Sequence, residues 1–594
     1  MLNKLFLIIK HPIDMKLTCS CFVFVSLLIT AFTSCTQSAP KDGSYSFEIY
    51  STNDIHGRYF DSLYVAGDDG VFTHKYSLAS VSSVVNESRQ KVGSNNVIFL
   101  DMGDHIQGDN APFYYSFVDT TSQHVFSRIA NYMKYDAIVV GNHDIEVGHS
   151  VYDRIVTELD MPYLAANAID NYTNMPYFEP YTIVNKQGVK IAVIGLTNPN
   201  IPSWLAPELW SGMNFQSIVP TLEHWIEYVK ENEKPHFIIA AIHSGLGNED
   251  EDDIENVGRY VAKHVDGVDL VLASHDHRVA AERYNNNGKD VWLLEGGSRA
   301  SNLSKATLNF NIRDGLAQDI SINAQTIDMT GVTPDSVYLS QLRDAFVEVK
   351  KFTNTEVGIL LNDIDSRDAY FGPSAYVDMI HSLQLKASGA DISFAAPLSF
   401  DKHIASGKLN YQNLMDIYPF ENQLNVIGLS GKEIKDYLEY SYAYWLNPNP
   451  QNNGHLLNVN DGQGERFKLK SPHFNFDSAA GIIYEVDITK PVSQRINIIS
   501  LVNGAIFDLN KIYTVALTSY RASGGGDLLT KGSGIAREDL QSRIVARLAD
   551  IREIMYNQIQ LDGVLKADKL NHWKFVPEDL SKKLSEADYN MLFR

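Results

Sequence analysis

In the first half of this 594-residue chain, five short apolar runs each stop abruptly at a cluster of polar side chains. Residues 47–50 lead into Asn53-Asp54-Ile55-His56-Gly57, 97–100 into Asp101-Met102-Gly103-Asp104, and 137–140 into Gly141-Asn142-His143-Asp144. Residues 237–240 lead into Ile242-His243-Ser244-Gly245, and 270–273 into Ser274-His275-Asp276-His277. Runs of this length read as buried strands. Leu78, Ala79, Val81, Val84 and Val85, and later Leu222, Trp225, Ile226 and Val229, recur at helical spacing between them. That alternation predicts an α/β layer architecture, with further strands at 191–194, 291–294 and 306–310. Ligands in open α/β sheets bind at the carboxyl ends of the strands, so the five clusters should meet on one rim.

Their chemistry points to metal. The only cysteines are Cys19, Cys21 and Cys35, all ahead of the folded region, which leaves imidazole, carboxylate and amide as ligands. That set suits zinc, manganese or related ions. Asp54, His56, Asp104, Asn142, His243, His275 and His277 are too many for one tetrahedral ion. They suit two ions, about 3.5–4 Å apart, that share a carboxylate. Extended backbone would point Asp54 and His56 the same way, and likewise His275 and His277. Taken singly, each has an ordinary reading: a satisfied histidine, a turn at Gly103-Asp104, a cap at Asn142. The recurrence of the pattern is what argues for a site.

The length predicts two or more domains. A hydrophobic content of 44% fits a packed protein. A net charge of −22 argues against a nucleic-acid polymer as partner. It leaves small phosphate substrates open, because bound cations reverse the local field. A boundary is expected at 326–354, as one connecting helix carrying Gln341, Leu342, Ala345, Phe346, Val349 and Lys350-Lys351. Beyond it comes a second series of helices and strands at 375–385, 392–395, 425–430, 432–445, 482–488 and 513–517. The stretch 447–454 reads as a polar surface loop. At the other end, Lys10, Lys16 and the apolar segment 21–32 read as an export signal, too short for a final membrane anchor. Residues 1–35 resemble a bacterial lipoprotein signal with Cys35 lipidated, followed by a tether over 36–44. Phe32 leaves cleavage by an ordinary signal peptidase open, Met15 is an alternative start, and an uncleaved anchor is the competing reading. Each of these puts the body outside the cytoplasm.

The ordered series Asp-x-His, Gly-Asp, Gly-Asn-His-Asp, His before Ser-Gly, and His-x-His resembles the signature of the calcineurin-like metallophosphoesterases. With the second domain, the chain resembles the 5′-nucleotidase family from about Tyr45 onward. The resemblance implies a metallophosphoesterase β-sandwich flanked by helices over 45–325 and a linker helix over 326–354. It then implies a C-terminal α/β nucleotide-binding domain over 355–565 and a tail over 566–594. It assigns Asp54, His56, Asp104 and His277 to one metal and Asp104, Asn142, His243 and His275 to the other, with Asp104 bridging. His143, held by Asp144, would stabilise the transition state or protonate the leaving oxygen. Tyr418-Pro419-Phe420-Glu421-Asn422 and Ser519-Tyr520-Arg521-Ala522-Ser523-Gly524-Gly525-Gly526 resemble the loops that clamp a base, which makes Phe420, Tyr520, Arg521, Gly524 and Gly525 the substrate residues. Ser274 stands where the family usually has Gly, and His277 where several members have Gln or Asn. Asp104-His105-Ile106-Gln107-Gly108, Asn200-Ile201-Pro202-Ser203-Trp204, the stretch 241–246 and Tyr520-Arg521-Ala522 resemble the 2′,3′-cyclic-nucleotide 2′-phosphodiesterase/3′-nucleotidase branch. The implied function is two-metal hydrolysis of nucleotide phosphate esters. A 5′-nucleotidase or nucleotide-sugar hydrolase is the first alternative and a non-catalytic nucleotide-binding or adhesion protein the remote one. The expected partner is a small nucleotide, with membrane contact through a lipid anchor only and the chain a monomer.

Overall fold

The protein is described by a computed structural model at residues 39–64, 71–205, 207–420, 422–460 and 469–593. The signal segment with Cys35, residues 36–38 of the tether and Glu421 lie outside the described residues. The first strand starts at Gly43, inside the expected tether.

The apolar runs are the middle strands of two six-stranded sheets. The first sheet runs Leu316–Asp328, Asn302–Arg313, Gly43–Thr52, Val97–Asp101, Ala137–Val139, Tyr163–Leu164. The second runs Val279–Asn286, Lys289–Gly296, Leu270–Leu272, Phe237–Ile242, Val189–Leu196, Tyr181–Lys186. The central strands of each sheet are parallel, so their carboxyl ends share an edge. Alternation of side chains sorts the core into layers. Ile98 and Leu100 face Ile191 and Ile239 of the other sheet. Val97 and Phe99 pack with Val81, Val85 and Phe126 of the outer helices. Ile238 and Ala240 meet Leu222 and Ile226 on the far side. The result is a helix–sheet–sheet–helix sandwich.

The connecting region contains two helices rather than one, Ser336–Gln341 and Arg343–Thr353. Leu342 breaks them apart at φ −112°, and Asp335 caps the first by accepting from the backbone N–H groups of Val337 and Tyr338. Tyr338, Leu342, Ala345 and Val349 are buried in the first domain's core.

The second domain is built on a five-stranded sheet ordered Ser478–Ala480, Ile392–Ala395, Ile512–Thr518, Gln423–Ser430, Ile544–Asp550. Helix Gly431–Trp445 covers one face through Ile434, Tyr437 and Leu438. Helices Ala375–Ser388 and Ile551–Asp562 cover the other. The expected tail over 566–594 is instead part of this domain. Trp573–Val576 pairs in parallel with Ile482–Asp487, and helix Glu578–Phe593 packs Leu584 and Phe593 onto the same core. Its Asp588 accepts from Leu457 N–H at 2.8 Å. The stretch 447–454 is not purely surface either, because buried Asn447 accepts from Arg495 through its backbone oxygen at 2.9 Å.

The domains meet through Phe113, Phe352 and Tyr411, whose rings lie 4.4–6.3 Å apart. The Arg552 guanidinium sits over Phe113 at 5.2 Å, and the Asn110 amide donates to Gln412 Oε1. Among the described residues, no helix is long and apolar enough to cross a membrane.

Candidate active site

The five polar clusters converge at one edge of the sandwich. Asp54, His56 and His277 form one group able to hold a metal, and Asp54, Asp104 and His243 form a second. Backbone geometry corrects one expectation. Asp54, His56, Asp104, His275 and His277 all have positive φ, between 47° and 85°, so paired ligands converge through left-handed turns and not along extended chain. Non-glycine residues rarely adopt this conformation, and it persists where the surroundings enforce it. One enforcing contact is the approach of two loops backbone to backbone: a Cβ on Gly141 would stand 2.4 Å from Asp104 N.

The outer hydrogen bonds set the histidine tautomers. His243 Nδ1 lies 2.6 Å from Met102 O, His56 Nδ1 3.2 Å from Gln107 O, and His275 Nε2 3.1 Å from Glu255 Oε1. Each of these oxygens can only accept, so each facing nitrogen carries the proton and the other nitrogen presents a lone pair inward. Those inward nitrogens crowd together. His56 Nε2 and His277 Nε2 are 3.1 Å apart. Asn142 Oδ1 lies 3.0 Å from His243 Nε2 and 2.9 Å from His275 Nδ1, while Asp104 Oδ2 is 3.3 Å from His243 Nε2. Lone pairs facing one another at such distances fit divalent cations between them.

The electrostatics agree. Burial, with the Asp104 charge added, pushes the Asp54 carboxyl up to about 7. Burial and His277 hold the His56 imidazole well below its ordinary range. The carboxylate common to both three-residue groups is Asp54, where the resemblance put Asp104. Asp104 nevertheless acts on His56, His143, His243 and His277 together, and its Oδ1 accepts from His143 N–H at 2.8 Å. Ser274, in place of the usual Gly, donates its hydroxyl to Met102 O at 2.9 Å, beside His243 Nδ1. The His277 side chain is 43% exposed whereas Asp54 and His243 are fully buried, so the site opens on the His277 side.

The carboxylate that holds His143 is not the expected Asp144. Asp144 accepts backbone N–H groups from Gly141, Asp104, His105 and Ile106 at 2.8–3.2 Å, which clamps the loop that carries Asp104. The His143 ring is held by Glu146, with Nδ1 2.5 Å from Oε2. Helix Asn142–Glu146 puts those two side chains on one face at i, i+3. Burial works against the imidazolium, but Asp104 and Glu146 together push His143 up to about 10. Glu146 and Glu255 are the two residues that sequence reasoning missed. The acid three places after His143 was the available signal for the first; Glu255 had none.

In the second domain, Phe420 and Tyr520 are each 38% exposed. Burial raises the Tyr520 phenol, and Glu255, the carboxylate that holds His275, adds to the effect. Arg521 is not free to bind substrate. It is buried, gripped by both oxygens of Asp477 at 2.8–3.2 Å, and bonded to Asn475 Oδ1 and Gly525 O. Its guanidinium lies 5.2 Å from the Tyr520 ring. Gly525 leaves room for that ring, since a Cβ there would stand 2.4 Å from it. Gly524 turns the loop at φ +97°.

Comparison with known proteins follows the same division. Residues 47–279 match the calcineurin-like phosphoesterase family, and residues 349–531 match the 5′-nucleotidase, C-terminal domain family. The chain joins a calcineurin-like phosphoesterase domain to a 5′-nucleotidase C-terminal domain. It is thereby a metal-dependent phosphoesterase of the nucleotidase type. A 2′,3′-cyclic-nucleotide 2′-phosphodiesterase/3′-nucleotidase of Salmonella typhimurium is 24% identical, with 86% of each chain covered. The trifunctional nucleotide phosphoesterase protein YfkN of Bacillus subtilis is 24% identical over 89% of this chain. This chain spans only 39% of that protein's length. Among solved structures, a Staphylococcus aureus candidate 5′-nucleotidase in complex with alpha-ketoglutarate superposes with a TM-score of 0.71 at 20% identity, covering 89% of this chain and 99% of that one.

Proposed function

We propose that the protein is an extracytoplasmic two-metal hydrolase that releases phosphate and nucleoside from 2′,3′-cyclic nucleotides and 3′-nucleotides. The observation that carries the reading is the set of three histidines whose tautomers are fixed from outside so that their lone pairs meet beside Asp54, Asp104 and Asn142. Asp54, His56, Asp104 and His277 would hold one zinc, manganese or similar ion, and Asp104, Asn142, His243 and His275 the other. When bound, such ions neutralise charge on the phosphoryl group and acidify water. His143 would give its proton to the departing ribose oxygen, with Glu146 holding the ring in place. Phe420 and Tyr520 would stack the base, over a loop braced by Arg521. The branch reading draws on the Salmonella relative, and Cys35 would anchor the chain as a lipoprotein.

The test is turnover of 3′-AMP, 5′-AMP and 2′,3′-cyclic AMP by purified protein, metal-free and reconstituted with zinc or manganese. Cleavage of the cyclic and 3′ substrates that disappears with chelator is expected. Preference for 5′-AMP would replace the branch, and undiminished activity in chelator or in Asp104→Ala would remove the mechanism. Lipid labelling lost in Cys35→Ala is the expected result for the anchor.

A further inference from the structure

Trp204 closes the Asn200-Ile201-Pro202-Ser203-Trp204 stretch, and the reaction outlined above gives it no task. It ends the short helix Ile201–Trp204, in the connection that follows the Val189–Leu196 strand. Its indole stacks on the His275 imidazole, with centroids 5.2 Å and planes 21° apart. The second domain comes close to it. Gln423 and Asn425, with Ser519, Ala522 and Ser523 from the turn that carries Tyr520, line a cleft together with Trp204. One side chain therefore touches a candidate metal ligand and borders the candidate base-binding loop.

His275 is held on three sides. Glu255 Oε1 fixes the Nε2 edge at 3.1 Å, Asn142 Oδ1 stands 2.9 Å before Nδ1, and the indole covers one face. A hydrogen bond at one edge fixes which nitrogen carries the proton but leaves the ring free to swivel about that bond. A flat aromatic surface against the face removes the swivel, and with it the spread of directions in which Nδ1 can point. The Ser519–Ser523 turn is a neighbour of the indole in that cleft.

We infer that Trp204 is a positioning residue that couples occupancy of the candidate base-binding loop to the candidate metal centre, by keeping the His275 ring aimed at its ion. The inference rests on the two-metal nucleotidase reading. Filling the base-binding loop should then strengthen metal binding even when the ligand carries no phosphate, and by reciprocity metal should strengthen nucleoside binding. Calorimetric titration of manganese into the metal-free full chain, with and without adenosine, tests it in wild type, Trp204→Ala and Trp204→Phe. In wild type, adenosine should tighten one of two manganese events. In Trp204→Ala that event should weaken about tenfold and lose its response to adenosine, while Trp204→Phe should recover most of both. Thermal unfolding in excess manganese checks that the variants fold, and if the alanine variant does not, Trp204→Leu is read in its place. Wild type that takes up two ions and cleaves nucleotides, beside a Trp204→Ala whose ion affinities and adenosine response are unchanged, overturns the role of Trp204 alone. Wild type that takes up no pair of ions removes the functional reading beneath it.

Discussion

A hydrogen bond to one ring nitrogen sets the tautomer and aim of a histidine, and for His143 the partner is Glu146. Glu146→Gln keeps the shape and removes the charge, so kcat should fall about 10²-fold with little change in KM. The proton should also leave earlier. In the ion-free chain Asp104 and Glu146 push His143 up to about 10 against its burial. Without Glu146 that value drops, and the alkaline limb of the kcat–pH profile should move to lower pH. At this scale the sequence spoke clearly where chemistry repeated. Each metal candidate follows an apolar run, and the run itself marks it as buried. Glu146 and Glu255 were harder because a carboxylate that serves another side chain has no periodicity of its own. Arg521 misled for a related reason: in the loop that resembles a base clamp it reads as a substrate residue, yet its partner Asp477 lies 44 positions back.

Among elements, the Ser519–Ser523 turn and the segment around Asp477 stand or fall together. Arg521→Ala strands a buried carboxylate whose other partner is Tyr437 Oη at 2.5 Å. Such losses run to about 3–5 kcal/mol, so the second domain's melting temperature should drop sharply in calorimetry. Tyr520→Ala should leave that temperature alone and raise nucleotide KM roughly tenfold, in line with about 1–3 kcal/mol per stacked base. Helix Ala375–Ser388 makes a separate prediction through His381, which is buried between Ser393 Oγ and Ser478 Oγ at 2.9 and 3.1 Å. Burial, with His572 nearby, lowers its imidazole to about 3. The unfolded chain takes up that proton near pH 6.5 and the folded chain does not, so stability falls as pH drops from about 6.5 toward 3. The melting temperature of His381→Asn should depend less steeply on pH across that window than that of wild type. Strands that form continuous apolar runs were legible from the sequence. The break at Leu342 and the Trp573–Val576 strand were not, because one depends on local backbone geometry and the other on a partner strand far back in the chain.

For the whole molecule, the buried charge at the rim divides stability unevenly. Bound ions stabilise only the fold that binds them, by about 2.7 kcal/mol at a hundredfold excess over Kd. Chelation should therefore lower the unfolding temperature of the first domain and leave that of the second, whose core holds none of the candidate ligands. Scanning calorimetry of the full chain with and without chelator reads both transitions.

The Trp573–Val576 strand and the helix after it bear on how the chain comes into being. Every strand and helix of the metal-binding domain lies before residue 354, so that half can close as soon as Thr353 has emerged. The second domain opens at Glu356 and lacks part of its core until Phe593 arrives. During synthesis there is thus an interval in which the candidate metal ligands are already assembled while the surface proposed to select the substrate does not yet exist.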